Sequence, residues 1–393
     1  MTMRYITAGK ILSFDEMIDK TTVYVDKTQA VCLMASQKDD ILLTRPRRMG
    51  KSTMVSTLEY LFSKGTVGTE GLYCHEHWPE PNRYFVFHFD WSKCVPSSVE
   101  QFEHKVGLYL NKYASYFGIS IPQNESVAYR LECLIELCLT KLKDEAFLAA
   151  HPELKEGDRP FCSDRVVLLI DEYDAPLSRN LDNPELFEQL LPIYTSIFSG
   201  ANQFINISLD SDYAACCGYT REEIEHYFAP ELKKAQEVTN LSHDELLKAM
   251  SYFYDGYSFS EKPEEQTRVF SPVSVSLFLS APEEGFRNYW SKTGSQSSFT
   301  LKLFKKCNQY IARSFLRDLY HYSSHPRIEI DASLEDVIAS LFPVFSLAVD
   351  LPEQLRSNVS LIKTSLHSLY IDHSCIKEPS LDNAVAILFQ GGY

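Results

Sequence analysis

No run in this 393-residue chain approaches the roughly 18 consecutive apolar residues that a membrane-spanning helix requires. The opening MTMRYITAGK also lacks the apolar block of an export signal, so export is not expected and a cytoplasmic location is. Positive charge is in deficit: 38 Lys and Arg against 53 Asp and Glu give a net charge of −15, which argues against broad electrostatic binding to nucleic acid. Ten cysteines stand at 32, 74, 94, 133, 138, 162, 216, 217, 307 and 375 without paired spacing, and read as reduced core thiols rather than a disulfide framework. There is no internal repeat and no low-complexity tract. A hydrophobic content of 45% over this length suffices for a sizeable core and two or three domains.

Against that background, short apolar runs alternate with helical periodicity. ILLT (41 to 44), YFVFHFD (84 to 90), VVLLIDE (166 to 172) and FINISLD (204 to 210) read as strands. Between them, one apolar stripe runs through Met54, Val55, Leu58, Leu61 and Phe62. Another runs from Val99 through Phe102, Val106, Tyr109 and Tyr113 to Phe117, closed by Gly118, and a third joins Leu131, Leu134, Ile135, Cys138 and Leu142. This alternation predicts an α/β fold with a mainly parallel sheet flanked by helices. From Gly218 the pattern turns helical, with capping-box signals at Thr220 to Glu223 and Ser242 to Glu245, and Pro272 suits a first helical turn. The expected organisation is an α/β domain over 1–215, a helical lid over 216–300, and a mostly helical C-terminal region over 301–393.

Two motifs carry chemistry. LLTRPRRMGKST (42 to 53) is an apolar strand followed by Gly50, Lys51 and Ser52, the residue types with which a loop and helix N-terminus cradle phosphate. Lysine reaches the outer phosphates and Ser holds magnesium, but Arg45 stands where the pattern G-x-x-x-x-G-K-[ST] places its first glycine. The second motif is the apolar run ending in Asp171-Glu172. An aspartate at such a strand end can support a magnesium shell, and the following glutamate can orient or deprotonate water. Its bland alternative is a buried strand closing in a solvated acidic turn.

Other clusters are weaker. Cys74-His75-Glu76-His77 has no second ligand pair at a suitable spacing and reads as a surface loop. Cys216-Cys217 reads as core, because adjacent cysteines rarely bridge without strain. Tyr252 to Phe259 (YFYDGYSF) reads as a packed helix end turning at Gly256 rather than a base-stacking platform.

YVDKT (24 to 28), LLTRPRRMGKS (42 to 52), LLIDEYDAPL (168 to 177), SIFSG (196 to 200), ISLD (207 to 210), YDGYSF (254 to 259) and VFSPVSVSLFL (269 to 279) resemble the bacterial AAA-ATPase-like family over roughly residues 5 to 300. In that family the first loop glycine is commonly absent, so Arg45 is a shared feature. The resemblance implies a P-loop NTPase-type fold that binds ATP and Mg2+ through Gly50, Lys51 and Ser52. Arg47, Arg48 and Thr53 complete the nucleotide contacts, Ser52 and Asp171 support the metal, and Lys51 and Glu172 act in hydrolysis. Nucleic acid is a lesser candidate partner, through Arg45, Arg47 and Arg48; the protein partner is undefined.

Two departures qualify the resemblance. Members often continue into a PD-(D/E)xK nuclease domain, and residues 300 to 393 contain no Asp followed by a Glu-x-Lys strand, so the chain is expected to stop before such a domain. Members also carry a sensor strand between IDEYDAPL and SIFSG, where this chain has only Ser178 to Thr195. The family's sensor strand lies between the phosphate-loop strand and the strand ending in Asp171. Its loss predicts either that FINISLD fills the central place, with the sheet one strand short, or that Asp171 is separated from Ser52. An ATP-binding protein with hydrolysis coupled to lid movement is therefore one expectation. The other is a degenerate member without turnover, acting as an interaction module or an inactive remnant.

Overall fold

The computed structural model describes residues 6, 12–19, 22–46, 48–180, 183–198, 204–254, 257–260, 267–287 and 289. It is a mixed helix and sheet structure, as the alternating pattern predicts. Strands β1 (Ile41–Leu42) and β4 (Ile205–Asn206) pair in parallel, as do β2 (Arg83–Asp90) and β3 (Phe161–Asp171). A short antiparallel pair joins β5 (Tyr257–Ser258) and β6 (Arg268–Val269). The principal helices are α1 (Thr28–Ala35), α2 (Lys51–Lys64), α3 (Val99–Phe117), α4 (Val127–Lys141) and α5 (Pro184–Phe198). After them come α6 (Arg221–Tyr227), α7 (Ala229–Thr239), α8 (His243–Tyr254) and α9 (Pro272–Ser280).

Strand alternation places β2 between two helical layers. Phe85, Phe87 and Phe89 face α3, where Tyr113 lies edge-on to Phe87 at 4.8 Å between ring centroids. On the opposite face Tyr84 meets Phe62 of α2, with centroids 6.0 Å apart, and His88 meets Glu59 of the same helix. The α3 side holds the largest core, in which Phe87, Phe102, Leu110, Leu134 and Leu190 are buried. Helix α3 begins at Ser98, whose hydroxyl accepts the Gln101 amide, and stops at the left-handed Gly118.

A second core joins the N-terminal Val23 and Val25 to Ile224, Leu232, Leu246, Met250 and Phe278 of the later helices. The capping boxes expected at Thr220 and Ser242 are present, and α9 begins at Pro272. Helix α8 ends at Tyr254; the turn expected at Gly256 lies outside the described residues, as does all of the region from 290 onward.

The single sheet expected from the sequence is not continuous among the described residues. FINISLD contributes only Ile205 and Asn206, and these pair with β1; no hydrogen-bonded strand joins β1 and β4 to β2 and β3. Strand β3 starts at Phe161, five residues before the apolar run, and among the described residues it pairs with β2 alone. Phe87 is fully buried, whereas its register partner Leu168 is 39% exposed. A strand covered on both edges and faces would show no such drop across one strand spacing.

Candidate functional site

The 44 to 53 segment is held from beneath. The amide and hydroxyl of Thr44 both lie 2.8 Å from the Ser208 hydroxyl, anchoring the loop to the segment after β4. Arg45 is fully buried. Its guanidinium donates to the carbonyls of Thr44 (2.9 Å), Tyr213 (2.8 Å) and Ser208, and stacks 4.2 Å from the centroid of the Phe259 ring. The residue at the position of the first glycine is thus an internal strut, and the expectation that Arg45 could reach phosphate or nucleic acid is corrected: its guanidinium is fully buried and its two terminal nitrogens donate inside the fold.

Above this strut the chain makes a tight bend. Arg48 and Gly50 adopt positive φ values of 68° and 106°, and α2 begins immediately at Lys51. A Cβ on Gly50 would meet nothing within 4 Å, so the requirement there is conformational and not spatial. The Lys51 ammonium folds back onto its own loop, 2.6 Å from the Arg45 carbonyl and 3.3 Å from that of Pro46. Ser52 and Thr53 lie in the first turn of α2, where helix amides project from the positive end of the helix dipole. Arg47 lies outside the described residues.

Asp171 is the last residue of β3, 8% exposed, and stands in register with Asp90. Its carboxylate accepts the Glu172 amide at 2.9 Å, and Glu172 takes a left-handed φ of 51°. A positive φ at a non-glycine residue is uncommon and marks a sharp local turn directly after the strand. On the neighbouring strand, two residues before Asp90, His88 lies 2.7 Å from Glu59 of α2. Its pKa is raised, first by the Glu59 hydrogen bond, with burial opposing and the charges of Glu59, Asp171 and Asp90 adding. Neither His88 nor Glu59 was legible as part of a site, because one appears as a strand residue and the other as a polar helix position.

The two motifs are therefore joined by a helix. The loop belongs to the β1–β4 pair and Asp171-Glu172 to the β2–β3 pair, while α2 starts at the loop and packs along β2 and β3. Among the described residues no group of three or more His, Cys, Asp or Glu side chains is arranged to hold a metal. Cys74 to His77 forms a one-turn helix instead of the expected surface loop: Cys74 is wholly buried and its amide bonds to Thr28, while His75, Glu76 and His77 are exposed.

YVDKT also finds its explanation here. Asp26 accepts the amides of Thr28 and Tyr73, each at 2.8 Å, and Lys27 lies 2.6 Å from Glu223 and 2.8 Å from the Ala215 carbonyl. These contacts tie α1 to the start of α6. No described helix is long and apolar enough to cross a membrane.

A family model described as "Predicted AAA-ATPase" matches residues 9–211, and the chain belongs to this AAA-ATPase-like family. It is also similar to a protein of Azotobacter chroococcum mcd 1 named "Uncharacterized protein in vnfD 5'region", with 30% identity over 299 residues. That match covers 69% of this chain and 51% of the relative, so the chain spans about half the relative's length. No solved structure matches.

Proposed function

We propose that the 44 to 53 loop and the N-terminus of α2 bind the phosphates of ATP with Mg2+. The observation that carries this reading is the Lys51 ammonium at the mouth of a left-handed Gly50 bend, bonded among the described residues to backbone carbonyls of its own loop. A lysine held this way can exchange two carbonyls for phosphate oxygens without breaking any ion pair. Gly50, Ser52, Thr53, Arg47 and Arg48 are the further proposed nucleotide contacts. Ser52 and the buried Asp171 would hold Mg2+, which when bound supplies charge neutralisation for the phosphates. Glu172, the residue directly after the strand end, would orient the attacking water.

The residues 216–300 are proposed as a lid whose position follows nucleotide occupancy. The Lys27 contacts to Ala215 and Glu223 provide a link between its first helix and the α/β core.

A second reading, binding without turnover, is favoured by the separation of the two strand pairs. Hydrolysis needs Glu172 and the loop held in fixed register, and here a helix instead of a shared sheet sets their spacing. Titration of the full chain with ATP and Mg2+, alongside Lys51→Ala, tests both. Loss of a charge-assisted contact should weaken binding roughly 10- to 100-fold. Equal, negligible binding by both proteins overturns the proposal; binding by the wild type without phosphate release selects the second reading.

A further inference from the structure

Arg45 poses a charge problem. It is fully buried, and among the described residues no carboxylate lies within ion-pair distance of it. Its Nε has no hydrogen-bond partner. An unpaired buried cation is costly, and carbonyl dipoles offset only part of that cost. The group of potential negative charge beside it is a thiol: Arg45 Nη2 lies 3.6 Å from Cys216 Sγ. Cys216 and its neighbour Cys217 are 3% and 2% exposed.

The surroundings single Cys216 out from the other buried thiols, including Cys217, which is raised by its hydrogen bond to Cys216 and by burial. Cys32, Cys74, Cys94 and Cys138 have pKa values pushed up by burial, as isolated core thiols do. Cys216 is shifted the opposite way, first by its hydrogen bond from Cys217 and then by the charges of Arg45 and Lys27, against the effect of burial. The same positive charge disfavours a metal cation between the two sulfurs and favours a thiolate.

The pair is also wired to the phosphate loop. The next residue, Gly218, donates its amide to the Met49 carbonyl at 2.8 Å. It does so at φ 88°, with the Val269 side chain and Met49 Cε packed where a Cβ would stand. Ala215, on the other side, holds Lys27.

We propose that Cys216 and Cys217 form an oxidisable dithiol that holds the phosphate loop in its bend when reduced and loosens it when oxidised to a disulfide. A peroxide is the matching oxidant class, being small and uncharged enough to enter so enclosed a site. The Cys216 thiolate attacks one peroxide oxygen, the O–O bond breaks, and a sulfenic acid forms with release of hydroxide. The Cys217 sulfur then attacks the sulfenic sulfur, forming the S–S bond. The second hydroxide leaves with the Cys217 proton as water. Two electrons pass from the thiols to hydrogen peroxide, which ends as two waters once the first hydroxide takes a proton from solvent.

Adjacent α-carbons lie about 3.8 Å apart across a trans peptide, shorter than the usual disulfide span, so ring closure must turn the 216–217 peptide. That turn moves Gly218 off Met49 and removes the thiolate from Arg45, at the base of the loop that carries Lys51. The consequence for ATP rests on the nucleotide reading above; the chemistry at the cysteines does not.

The test uses the full chain before and after hydrogen peroxide, followed by thiol blocking, digestion and mass mapping, with amide hydrogen exchange over 48–54 measured on the same samples. The expected result is loss of two hydrogen atoms from the 216–217 peptide, reversed by dithiothreitol. Exchange over 48–54 should be about tenfold faster in the oxidised form. Cys216→Ser should abolish both responses. Should that variant fail to fold, the oxidised and re-reduced wild type supplies the comparison. Peroxide that leaves 216–217 as free thiols, or a disulfide that leaves exchange unchanged, overturns the proposal. ATP affinity is then compared between the two redox states. Absence of ATP binding in the reduced protein counts against the nucleotide reading alone, because the mass and exchange shifts involve no nucleotide.

Discussion

The Lys51 ammonium rests 2.6 Å from the carbonyl of Arg45, and the side chain of that same Arg45 is the buried strut on which the loop stands. One residue thus presents its backbone to the proposed phosphate site and its guanidinium to the core. Substitution of Arg45 should therefore read out as stability before it reads out as binding.

Arg45→Met removes a donor from the carbonyls of Thr44, Ser208 and Tyr213, of which Tyr213 keeps the Cys216 amide. Losing these buried bonds is expected to cost on the order of 3 kcal/mol. Arg45→Lys should recover little of it, since one ammonium cannot span the three carbonyls that the planar fork reaches. Denaturant midpoints for the two variants check this; an unchanged midpoint in Arg45→Met would contradict the strut.

Gly218→Ala forces an L side chain into a φ of 88°, with its Cβ 2.7 Å from Val269 Cβ and 2.9 Å from Met49 Cε. Backbone and overpacking penalties together predict a loss of roughly 2 to 4 kcal/mol. Because Gly218 bonds to Met49, amide exchange at the loop should rise in step with the stability loss. Exchange confined to α6, α7 and α8 would indicate that the bond does not support the loop.

The Glu59–His88 contact predicts a pH dependence of defined sign. Glu59 raises the pKa of His88 in the fold above its ordinary value of 6.5. Stability from the pair is then fully present below that ordinary value and is lost as pH rises through the folded one. The gap in denaturation midpoint between wild type and Glu59→Gln should be wider at about pH 5.5 than at about pH 8.5. Both side chains are partly exposed, so the effect is modest. A gap that stays constant with pH would show that the imidazolium is not what Glu59 stabilises.

The edge position of β3 among the described residues is tested by contrast with its neighbour. Phe87→Ala, at a fully buried position, should cost about 3 to 5 kcal/mol. Leu168→Ser, at its register partner, should cost under about 1 kcal/mol because the side chain is already in contact with water. Equal costs would mean that another element covers β3.

Local chemistry was legible from the residues alone. The Thr220 and Ser242 capping boxes, the Gly118 stop, the Pro272 start and the strand ending at Asp171 all follow from interactions that close within a few residues. The fate of Arg45 was not legible. Its position in a basic cluster suggested a ligand for phosphate, but its partners are backbone carbonyls more than 160 residues away, Ser208 and Tyr213. Cys216 read as an ordinary core residue because its neighbour in space, Arg45, is 171 positions distant.

The sequence by itself determined the principal helices, the strands ending at Asp90 and Asp171 and the order of the two motifs, because periodicity and backbone preference act over short separations; it did not indicate the β5–β6 pair or the helix at Tyr73–His77. Only the tertiary structure decided how the strands are shared out. Ile205 and Asn206 pair beside Ile41 and Leu42, so among the described residues the two strand pairs are not joined by hydrogen bonds, and α2 packs between the loop and the strand that ends in Asp171. Strand pairing is a long-range choice governed by which edges remain free, and no local pattern encodes it.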